Sequence, residues 1–449
     1  MTTLQVSPKT ALDGLDVEIS PKTNRIDADH TDKPPRRDKS AYDFKERADV
    51  RSFLEEHYQL TNFNIESLLG GTANYVYRVT ENDTEATRII KHAAPQLASN
   101  HSFSLSPERM DFEADMLMKR SEDKGECHCS TVQGFNTSTI EKTHVHTAHF
   151  ESYERDIKLL CIEDGGNKNL KDAYKDLSPA EIQDIGTELG KWLANLHSRT
   201  PLSNVSGAES GRNNSTGVAI AGYIYKNLIG TVKMFCDAVG AGTLSNKALA
   251  DHLQPYSDPE KLGRLSKRID KHADDVIGST RKSVCHGDFW PGNILLRSNT
   301  ASKSHILTVV DWELARIGNS ATDIGQFAAE AMILDLVNNN HHEEGLCAAF
   351  MRAYFKTSAV DIGSKESLYA WMTQIAIHYA VHLIVWPHRK VHWAPKEESA
   401  TLAVHGLSVL ENAFSTAPDI KTWTVFSGLA GLEDIVSEFR LKRGDGADE

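Results

Sequence analysis

One segment combines a carboxylate, a carboxamide and turn-forming residues at a spacing suited to catalysis. Within His286-Gly-Asp-Phe-Trp-Pro-Gly-Asn293, glycine and proline allow a tight loop that carries Asp288 and Asn293, and Asp311 follows where the apolar run Ile306–Val310 ends. Phosphoryl transfer requires a carboxylate facing the attacking hydroxyl and oxygen ligands for magnesium. The spacing therefore predicts that Asp288 accepts the hydroxyl hydrogen bond and that Asn293 and Asp311 bind Mg²⁺. The alternative is that these residues only cap the loop and a helix.

A glycine turn and a lysine nearer the N-terminus could contact phosphates. Two strand-like runs are separated by Gly70, Gly71, Thr72, Ala73 and Asn74. Glycine lets backbone N–H groups approach phosphate closely, although a plain hairpin turn would need the same glycines. Lys91 ends a further strand-like run and could neutralise the phosphates, unless it is a surface lysine. Glu113 is the preferred ion-pair partner of Lys91, with Glu108 as its competitor.

The elements that must position these groups divide the chain into two parts. Residues 1–45 are polar and predict a flexible leader. Residues 46–163 predict a small nucleotide-binding lobe, an antiparallel sheet with one helix; its expected elements are a helix at 50–60, strands at 63–69, 75–80, 87–91, 143–150 and 156–162, and a helix at 107–120. Residues 164–440 predict a larger, mainly helical lobe that binds the acceptor, and residues 441–449 predict a flexible tail. The fold class expected is α+β with two lobes.

These motifs resemble the aminoglycoside phosphotransferase and choline kinase-like family, which has the two-lobed protein-kinase-like fold. The resemblance rests on His286–Asn293, on Asp311-Trp-Glu313 and on Ala321-Thr-Asp-Ile-Gly325, and it covers about residues 60–390. It implies an ATP- and Mg²⁺-dependent kinase that phosphorylates a hydroxyl of a small molecule.

The resemblance also implies individual roles. Asp288 would be the catalytic base, His286 would orient the loop, and Asp323 would be structural. Asn293 and Asp311 would be the magnesium ligands. The connection between the lobes would contact adenine through the backbone atoms of three residues, Cys161, Ile162 and Glu163.

The acceptor is not identified by these motifs. His378, His382 and Trp386 recur every four residues on an apolar helix, where they would line an acceptor pocket or pack in the core. Trp290 and Glu313 are further candidates for acceptor contacts. An aminoglycoside, a choline-like amino alcohol or a sugar remains open as acceptor, and GTP remains open as donor.

A second cluster of ligand-forming residues lies between the predicted helix at 107–120 and the lobe connection. Cys127, Cys129, His144 and His146 offer sulfur and imidazole ligands of the kind that zinc binds. The Cys-x-Cys and His-x-His spacings are not typical of zinc sites. The alternative for the histidines is one face of a strand.

Composition narrows the classes of function. The 449 residues include 49 basic and 62 acidic side chains, a net charge of −13, which argues against nonspecific binding to nucleic acid or to an anionic membrane. Six cysteines do not predict a disulfide framework, and no secretory signal is recognisable, so we expect a cytoplasmic protein. The oligomeric state is not predicted.

Two other classes of protein share parts of this pattern. A protein kinase is disfavoured because no Ala-Pro-Glu segment follows a recognisable activation loop. A catalytically inactive, kinase-like scaffold is the remaining alternative, and it would be expected to lack the base, a metal ligand or the lysine. All of these residues are present.

Overall fold

The computed structural model of the protein describes residues 36–68, 73–122, 142–199, 214–244, 246–278, 283–299, 304–338, 345–358, 364–388, 396–415 and 426. Gly70, Gly71 and Thr72 of the predicted phosphate loop lie outside them. So do Cys127 and Cys129 of the candidate zinc cluster, and the predicted tail at 441–449.

The N-terminal lobe is built on a five-stranded antiparallel sheet. Its strands, in chain order, are β1 (Phe63–Ser67), β2 (Tyr75–Glu81), β3 (Thr87–His92), β7 (Phe150–Glu154) and β8 (Leu159–Glu163). They lie in the order β1-β2-β3-β8-β7. A small hairpin, β4 (Gln96–Leu97) and β5 (Asn100–Ser104), precedes helix α2 (Arg109–Glu122), and helix α1 (Arg47–His57) covers the sheet from the N-terminal side. The antiparallel sheet followed by helix α2 agrees with the expected α+β lobe.

One predicted strand belongs to a different sheet. The expected strand at 143–150 is two strands: β6 (His144–Thr147) and the start of β7. β6 pairs in parallel with β11 (Ser304–Val309), with Val145 opposite Leu307, and β11 pairs in turn with β10 (Ile294–Asn299). A segment of the predicted N-terminal lobe thus completes a sheet of the C-terminal lobe. Residues 152–154, expected to separate strands, continue β7 because their backbone pairs with β8.

The start of the described chain packs on the N-terminal lobe. Tyr42 and Phe44 are buried with Phe53 of α1, and the Tyr77 hydroxyl donates to the carbonyl of Phe44 at 3.0 Å. The predicted flexible leader therefore cannot extend to residue 45. Two aromatic side chains within a polar stretch gave a short, non-periodic signal, and only their burial against α1 reveals them as core.

The C-terminal lobe is mainly helical. Its helices are α3 (Leu170–Ala173), α4 (Pro179–Arg199), α5 (Ser215–Gly240), α6 (Lys247–Leu253), α7 (Pro259–Ile277), α8 (Ala321–Val337), α9 (Leu346–Thr357), α10 (Lys365–Val385) and α11 (Lys396–Ala413). Helix α4 begins with a capping box, because Ser178 N–H donates to the Glu181 carboxylate at 2.9 Å and Glu181 N–H donates back to the Ser178 hydroxyl oxygen at 3.4 Å. A short pair, β9 (Ser283–Cys285) with β12 (Arg316–Gly318), holds the two ends of the catalytic region.

Helix α10 is long and apolar enough to cross a bilayer by length and composition alone. In this fold, however, 78 % of its apolar window is buried inside the protein. It packs against α8, where Gly325 lets the helices approach: a Cβ there would lie 2.9 Å from the carbonyl oxygen of Ile375. The apolar character of α10 is thus accounted for by its place in the core.

Candidate active site

The loop between β9 and β10 is shaped by one glycine and one buried aspartate. Gly287 has φ +90°, and a Cβ there would collide with the carbonyl oxygen of Leu314. Asp323, at the start of α8, accepts the N–H groups of His286 at 2.7 Å and of Gly287 at 3.0 Å. Its carboxylate therefore satisfies two backbone donors that a tight, buried turn would otherwise leave unpaired.

Asp323 is itself held in the charged form. Burial would raise the pKa of its carboxyl, but the His197 imidazole at 3.2 Å, together with Arg316, lowers that pKa to about 2. His197 in turn contacts the Tyr354 hydroxyl at 2.8 Å. These contacts agree with the structural role that the family resemblance implies for Asp323.

His286 joins the loop to the strand end that carries Asp311. Its Nε2 lies 3.0 Å from the carbonyl oxygen of Val310, and its Nδ1 lies 3.3 Å from the N–H of Asp288. These partners require that Nε2–H donates to Val310 and that Nδ1 accepts from Asp288. A second hydrogen bond links the loop to this strand end, since the N–H of Val310 donates to the backbone carbonyl of Asn293 at 3.0 Å. The imidazole thus positions both candidate carboxylates.

Asp288 is half-buried and receives two side-chain hydrogen bonds. Asn293 Nδ2 donates to its Oδ2 at 3.0 Å, and Gln326 Nε2 of α8 donates to its Oδ1 at 2.6 Å. Burial and the nearby charge of Asp311 raise the pKa of Asp288 to about 6. Sequence reasoning missed Gln326, although its place on the helix that begins with the recognised Ala321–Gly325 motif was an available signal.

Lys91 of β3 forms the ion pair that was predicted from the sequence. Its Nζ donates to both oxygens of Glu113, at 2.8 and 2.9 Å, and to Asp311 Oδ1 at 2.7 Å. Glu113 is fully buried on α2, whereas Glu108 is exposed beyond the start of that helix, so the geometry selects Glu113. Burial disfavours the charged forms of Asp311 and Lys91, but the two opposite charges stabilise each other. The pKa of Asp311 is therefore lowered and that of Lys91 is raised.

A second buried ion pair ties the phosphate-loop side to the Asp311 segment. Arg109 of α2 donates to Glu313 at 2.9 Å, to the Asn74 side-chain oxygen at 2.9 Å and to the Ala73 carbonyl at 3.0 Å. Asn74 also donates to Glu313 at 2.8 Å. Burial and the charge of Asp311 raise the pKa of Glu313 to about 7. We call Arg109, Glu313 and Asn74 the loop latch.

The latch changes one assignment and adds one residue. Glu313 was predicted to contact the acceptor, but its carboxylate is taken up by Arg109 and Asn74 on the nucleotide side. Arg109 was missed, because a single arginine at a helix start gives no sequence signal for a partner 204 positions away.

The predicted adenine contacts need correction. Cys161 and Ile162 lie inside β8, which is paired on one side with β3 and on the other with β7. The N–H of Glu163 donates to the carbonyl of His149 at 2.9 Å. Cys161 and Ile162 therefore pair within the sheet on both sides, and the N–H of Glu163 is occupied as well. The chain leaves the sheet at Asp164, whose carboxylate accepts from Arg78 at 2.6 Å.

The candidate acceptor residues fall into different environments. His378 is buried between α10 and α5, where its Nδ1 lies 2.7 Å from the Tyr225 hydroxyl, and burial holds its pKa well below the usual range. That environment agrees with core packing. His382, one turn later, contacts Glu330 of α8 at 2.6 Å, and the half-buried Trp386 lies 6.0 Å from His382 between ring centroids. Trp290 is half-buried in the catalytic loop and packs over Gly292.

The donor chemistry fits a hard divalent cation. Asn293 uses its amide nitrogen on Asp288, which leaves the amide oxygen for a metal, and Asp311 presents a carboxylate from a left-handed residue at φ 69°. Carboxylate oxygens of Glu113, Asp311 and Glu313 come within 4.8 Å of one another. Glu113 and Glu313 are neutralised by Lys91 and Arg109, so Asp311 is the carboxylate of this group best suited to a metal.

The histidines of the candidate zinc cluster lie on one strand face. The rings of His144 and His146 stack at 5.7 Å, and His146 Nε2 contacts Glu163 at 3.0 Å. This agrees with the strand-face alternative for these two residues.

Comparisons of the sequence with known proteins find phosphotransferases and kinases. Residues 162–360 match the Phosphotransferase enzyme family. The 4-hydroxytryptamine kinase of Psilocybe cubensis is 23 % identical over 389 residues, which cover 83 % of this chain and 94 % of that relative. Phosphotransferase FrzJ of Cladobotryum sp is 21 % identical over 332 residues, 69 % of this chain and 80 % of that relative. Among solved structures, the Plasmodium vivax ethanolamine kinase Pv091845 matches with a TM-score of 0.43 and 13 % identity, over 87 % of this chain and 90 % of that one.

Proposed function

We propose that this small-molecule kinase, whose residues 162–360 belong to the phosphotransferase enzyme family, transfers the γ-phosphoryl group of ATP to a hydroxyl of its acceptor with Mg²⁺. One observation carries the proposal. The Lys91–Glu113 ion pair meets Asp311 at 2.7 Å, and His286 connects the Asp311 strand end to Asp288. A cation for phosphates, a metal ligand and a base are thus brought to one cleft.

Asp288 is the proposed base and orienting group. Its carboxylate is held by Asn293 and Gln326, so few rotamers remain and an acceptor hydroxyl can be directed toward the phosphoryl group. In a loose phosphoryl-transfer transition state the proton is removed late, so holding the hydroxyl contributes more than strong basicity.

Lys91 and the metal ligands would serve the nucleotide. Glu113 keeps Lys91 extended and charged, ready to contact phosphate oxygens. Asp311 and Asn293 would hold Mg²⁺, which supplies charge neutralisation on the phosphates when bound. The proposed donor is ATP, and GTP is an outcome of the test below.

The acceptor is a small molecule with a free hydroxyl, of the aminoglycoside, amino alcohol or sugar type. The relatives named 4-hydroxytryptamine kinase add a hydroxylated aromatic amine to the compounds that deserve testing. We also propose a cytoplasmic location, which fits four buried thiols without a disulfide among the described residues: Cys161, Cys236, Cys285 and Cys347.

The test is a nucleotide-consumption screen. Wild-type protein with Mg²⁺ and ATP or GTP is offered 4-hydroxytryptamine, ethanolamine, choline, glucosamine and aminoglycosides, and ADP release is measured. We expect at least one acceptor to stimulate consumption, and Asp288→Asn to lower that stimulated turnover by roughly 10²–10⁴-fold while still binding nucleotide.

Two outcomes would contradict the proposal. Near wild-type turnover in Asp288→Asn would show that the base is misassigned. Nucleotide binding without acceptor-stimulated turnover across the panel would instead support a kinase-like scaffold.

A further inference from the structure

A cavity lies on the face of the N-terminal sheet that is turned away from Lys91. Successive side chains of a strand point to opposite faces of the sheet. Ile89 and Leu160 belong to the large core that includes α2, whereas Ile90 and Cys161 belong to the separate core beneath α1. The cavity is lined by Ile90 and Cys161, so the sheet separates it from the Lys91 ammonium group.

The walls of this cavity are mainly apolar. Its volume is about 170 Å³, and it lies between Leu54 and Leu60 on the α1 side and Ile90 and Leu159 on the sheet. Tyr58 also lines it and is 39 % exposed, so the cavity is reached from solvent. Voids larger than a water molecule are few in protein interiors, and an apolar cavity of about 150 Å³ holds a benzene molecule. The space therefore fits an apolar group about the size of one aromatic ring.

One carboxylate in the wall is only weakly paired. Among the residues that the structure describes, Glu151 Oε2 accepts from the Cys161 thiol at 3.2 Å, and Arg88 Nη1 lies 3.6 Å away, beyond hydrogen-bond distance. A thiol is a weak donor. Arg88 Nη2 donates instead to Glu81. Two carboxylates and one guanidinium leave one negative charge in excess, and this charge favours a positively charged ligand.

We propose that this cavity binds a small amine. Its apolar, ring-sized part fills the space between α1 and the sheet, and its ammonium group donates to Glu151. An ammonium N–H is a stronger donor than a thiol, so it takes the place of the Cys161 hydrogen bond. The ligand contacts strand β3 from the side opposite Lys91, so the inference does not depend on the proposed kinase function.

The experiment is a methyl NMR titration of the intact protein with benzylamine, which is cationic at neutral pH. Benzyl alcohol has the same ring with a neutral hydroxyl group, and nucleotide is left out so that it cannot be phosphorylated. The methyl signals of Ile90, assigned with Ile90→Val, report on the cavity itself. Both compounds should shift these signals to saturation, and benzylamine should have a Kd about 3- to 10-fold lower, as expected for a half-buried charge pair.

Three variants test the assignment of the site. Glu151→Gln should abolish the preference for benzylamine and leave the Kd of benzyl alcohol unchanged. Cys161→Leu fills the cavity and should abolish the response of the Ile90 signals to both compounds. Glu55→Gln, at an exposed glutamate of α1 outside the cavity wall, is the matched control and should bind both compounds like the wild type.

The folding of the variants is checked by thermal unfolding. Glu151→Gln should unfold like the wild type, because its carboxylate is half-buried and weakly paired. If Cys161→Leu does not fold, Glu151→Gln decides the question alone.

Three results would overturn the proposal. Absence of a response of the Ile90 signals to either compound would exclude a ligand site in this cavity. Equal Kd values of the two compounds in the wild type, or an unchanged preference in Glu151→Gln, would exclude recognition of an amine by Glu151. None of these results bears on the kinase function, which the nucleotide-consumption screen tests separately.

Discussion

Two carboxylates of one cleft are driven toward different protonation behaviour by their immediate neighbours. Desolvation would raise the pKa of the half-buried Asp311, but the Lys91 ammonium at 2.7 Å lowers it. Asp288 is half-buried and accepts hydrogen bonds only from neutral amides, and desolvation together with the charge of Asp311 raises its pKa to about 6. Such divergence is typical of sites where one carboxylate binds a cation and the other handles a proton. The assignment of base and metal ligand thus has an electrostatic basis beyond motif position.

The raised pKa of Asp288 predicts an acidic limit to activity. As pH falls through about 6, the carboxylate becomes protonated and can no longer accept the hydroxyl hydrogen, so kcat/KM should fall toward tenfold per pH unit. The measurement is a pH–rate profile at saturating nucleotide.

Gln326→Met tests the assignment of that limit. The Gln326 hydrogen bond favours the charged form of Asp288, so its removal should move the acidic limb of the profile to higher pH. A limb that stays in place would assign the titration to another group.

At the scale of elements, α2 joins the two sides of the proposed nucleotide site. Its Glu113 holds Lys91 of β3 and accepts the N–H of Trp312 at 3.3 Å, while Arg109 forms the loop latch with Glu313 and Asn74. One helix therefore fixes the lysine, the end of the phosphate loop and the Asp311 segment together.

Breaking the latch should weaken nucleotide binding. Arg109→Met leaves Glu313 and Asn74 without their buried partner, and we expect a loss of about 3 kcal/mol in the free energy of unfolding and a higher Kd for ATP. Denaturant unfolding and calorimetric titration measure the two effects. Arg155→Met removes an exposed arginine that also pairs with acidic residues of α2, and it should change both quantities little. If the two substitutions changed stability and the Kd for ATP equally, the loop latch would not support nucleotide binding.

Close helix packing supports the catalytic loop from below. A Cβ at Gly190 of α4 would lie 2.9 Å from the N–H nitrogen of Tyr354 and would collide with the Phe350 carbonyl of α9. Gly190→Ala should therefore lower the free energy of unfolding by about 1–3 kcal/mol. Gly230→Ala, in the middle of α5 with nothing within 4 Å of the new methyl, should raise it by up to about 1 kcal/mol. Denaturant unfolding of both variants gives the comparison, and a stabilised Gly190→Ala would contradict the packing.

At the scale of the whole molecule, one hydrophobic core runs through both lobes. It includes Ile89, Met110 and Leu160 of the N-terminal lobe together with the aromatic side chains beneath the catalytic loop. Phe289 of that loop is fully buried and stacks 5.8 Å from Trp192 of α4. The loop is thus anchored in the core and presents Asp288 from a rigid base.

Because the proposed nucleotide site draws on residues of both lobes, its ligand should stabilise the whole protein. ATP with Mg²⁺ at about a hundred times its Kd should add about 2.7 kcal/mol to the free energy of unfolding. Asp311→Asn should abolish most of this gain and its dependence on Mg²⁺, as measured by thermal unfolding with and without a chelator. If Asp311→Asn were stabilised by ATP and Mg²⁺ as much as the wild type, Asp311 would not be a metal ligand. Glu398→Gln, at an exposed glutamate of α11, is the control.

The amino-acid sequence by itself determined the reaction chemistry and the local elements around it. Asp288 and Asn293 share a short loop, and Asp311 ends a strand, so their proximity depends on turn geometry and strand direction that nearby residues encode. The family resemblance is confirmed over residues 162–360, and the α+β two-lobed fold is confirmed as well.

Only the tertiary structure decided which distant side chains meet. The packing of α2, α8 and α10 brings together the pairs Lys91–Glu113, Arg109–Glu313, Gln326–Asp288 and Glu330–His382. The last two pairs join residues 38 and 52 positions apart. The pairing of β6 with β11 and the burial of Phe44 arise in the same way. Side-chain partners across such separations are set by the summed packing of whole elements, and no local pattern of residues encodes that sum.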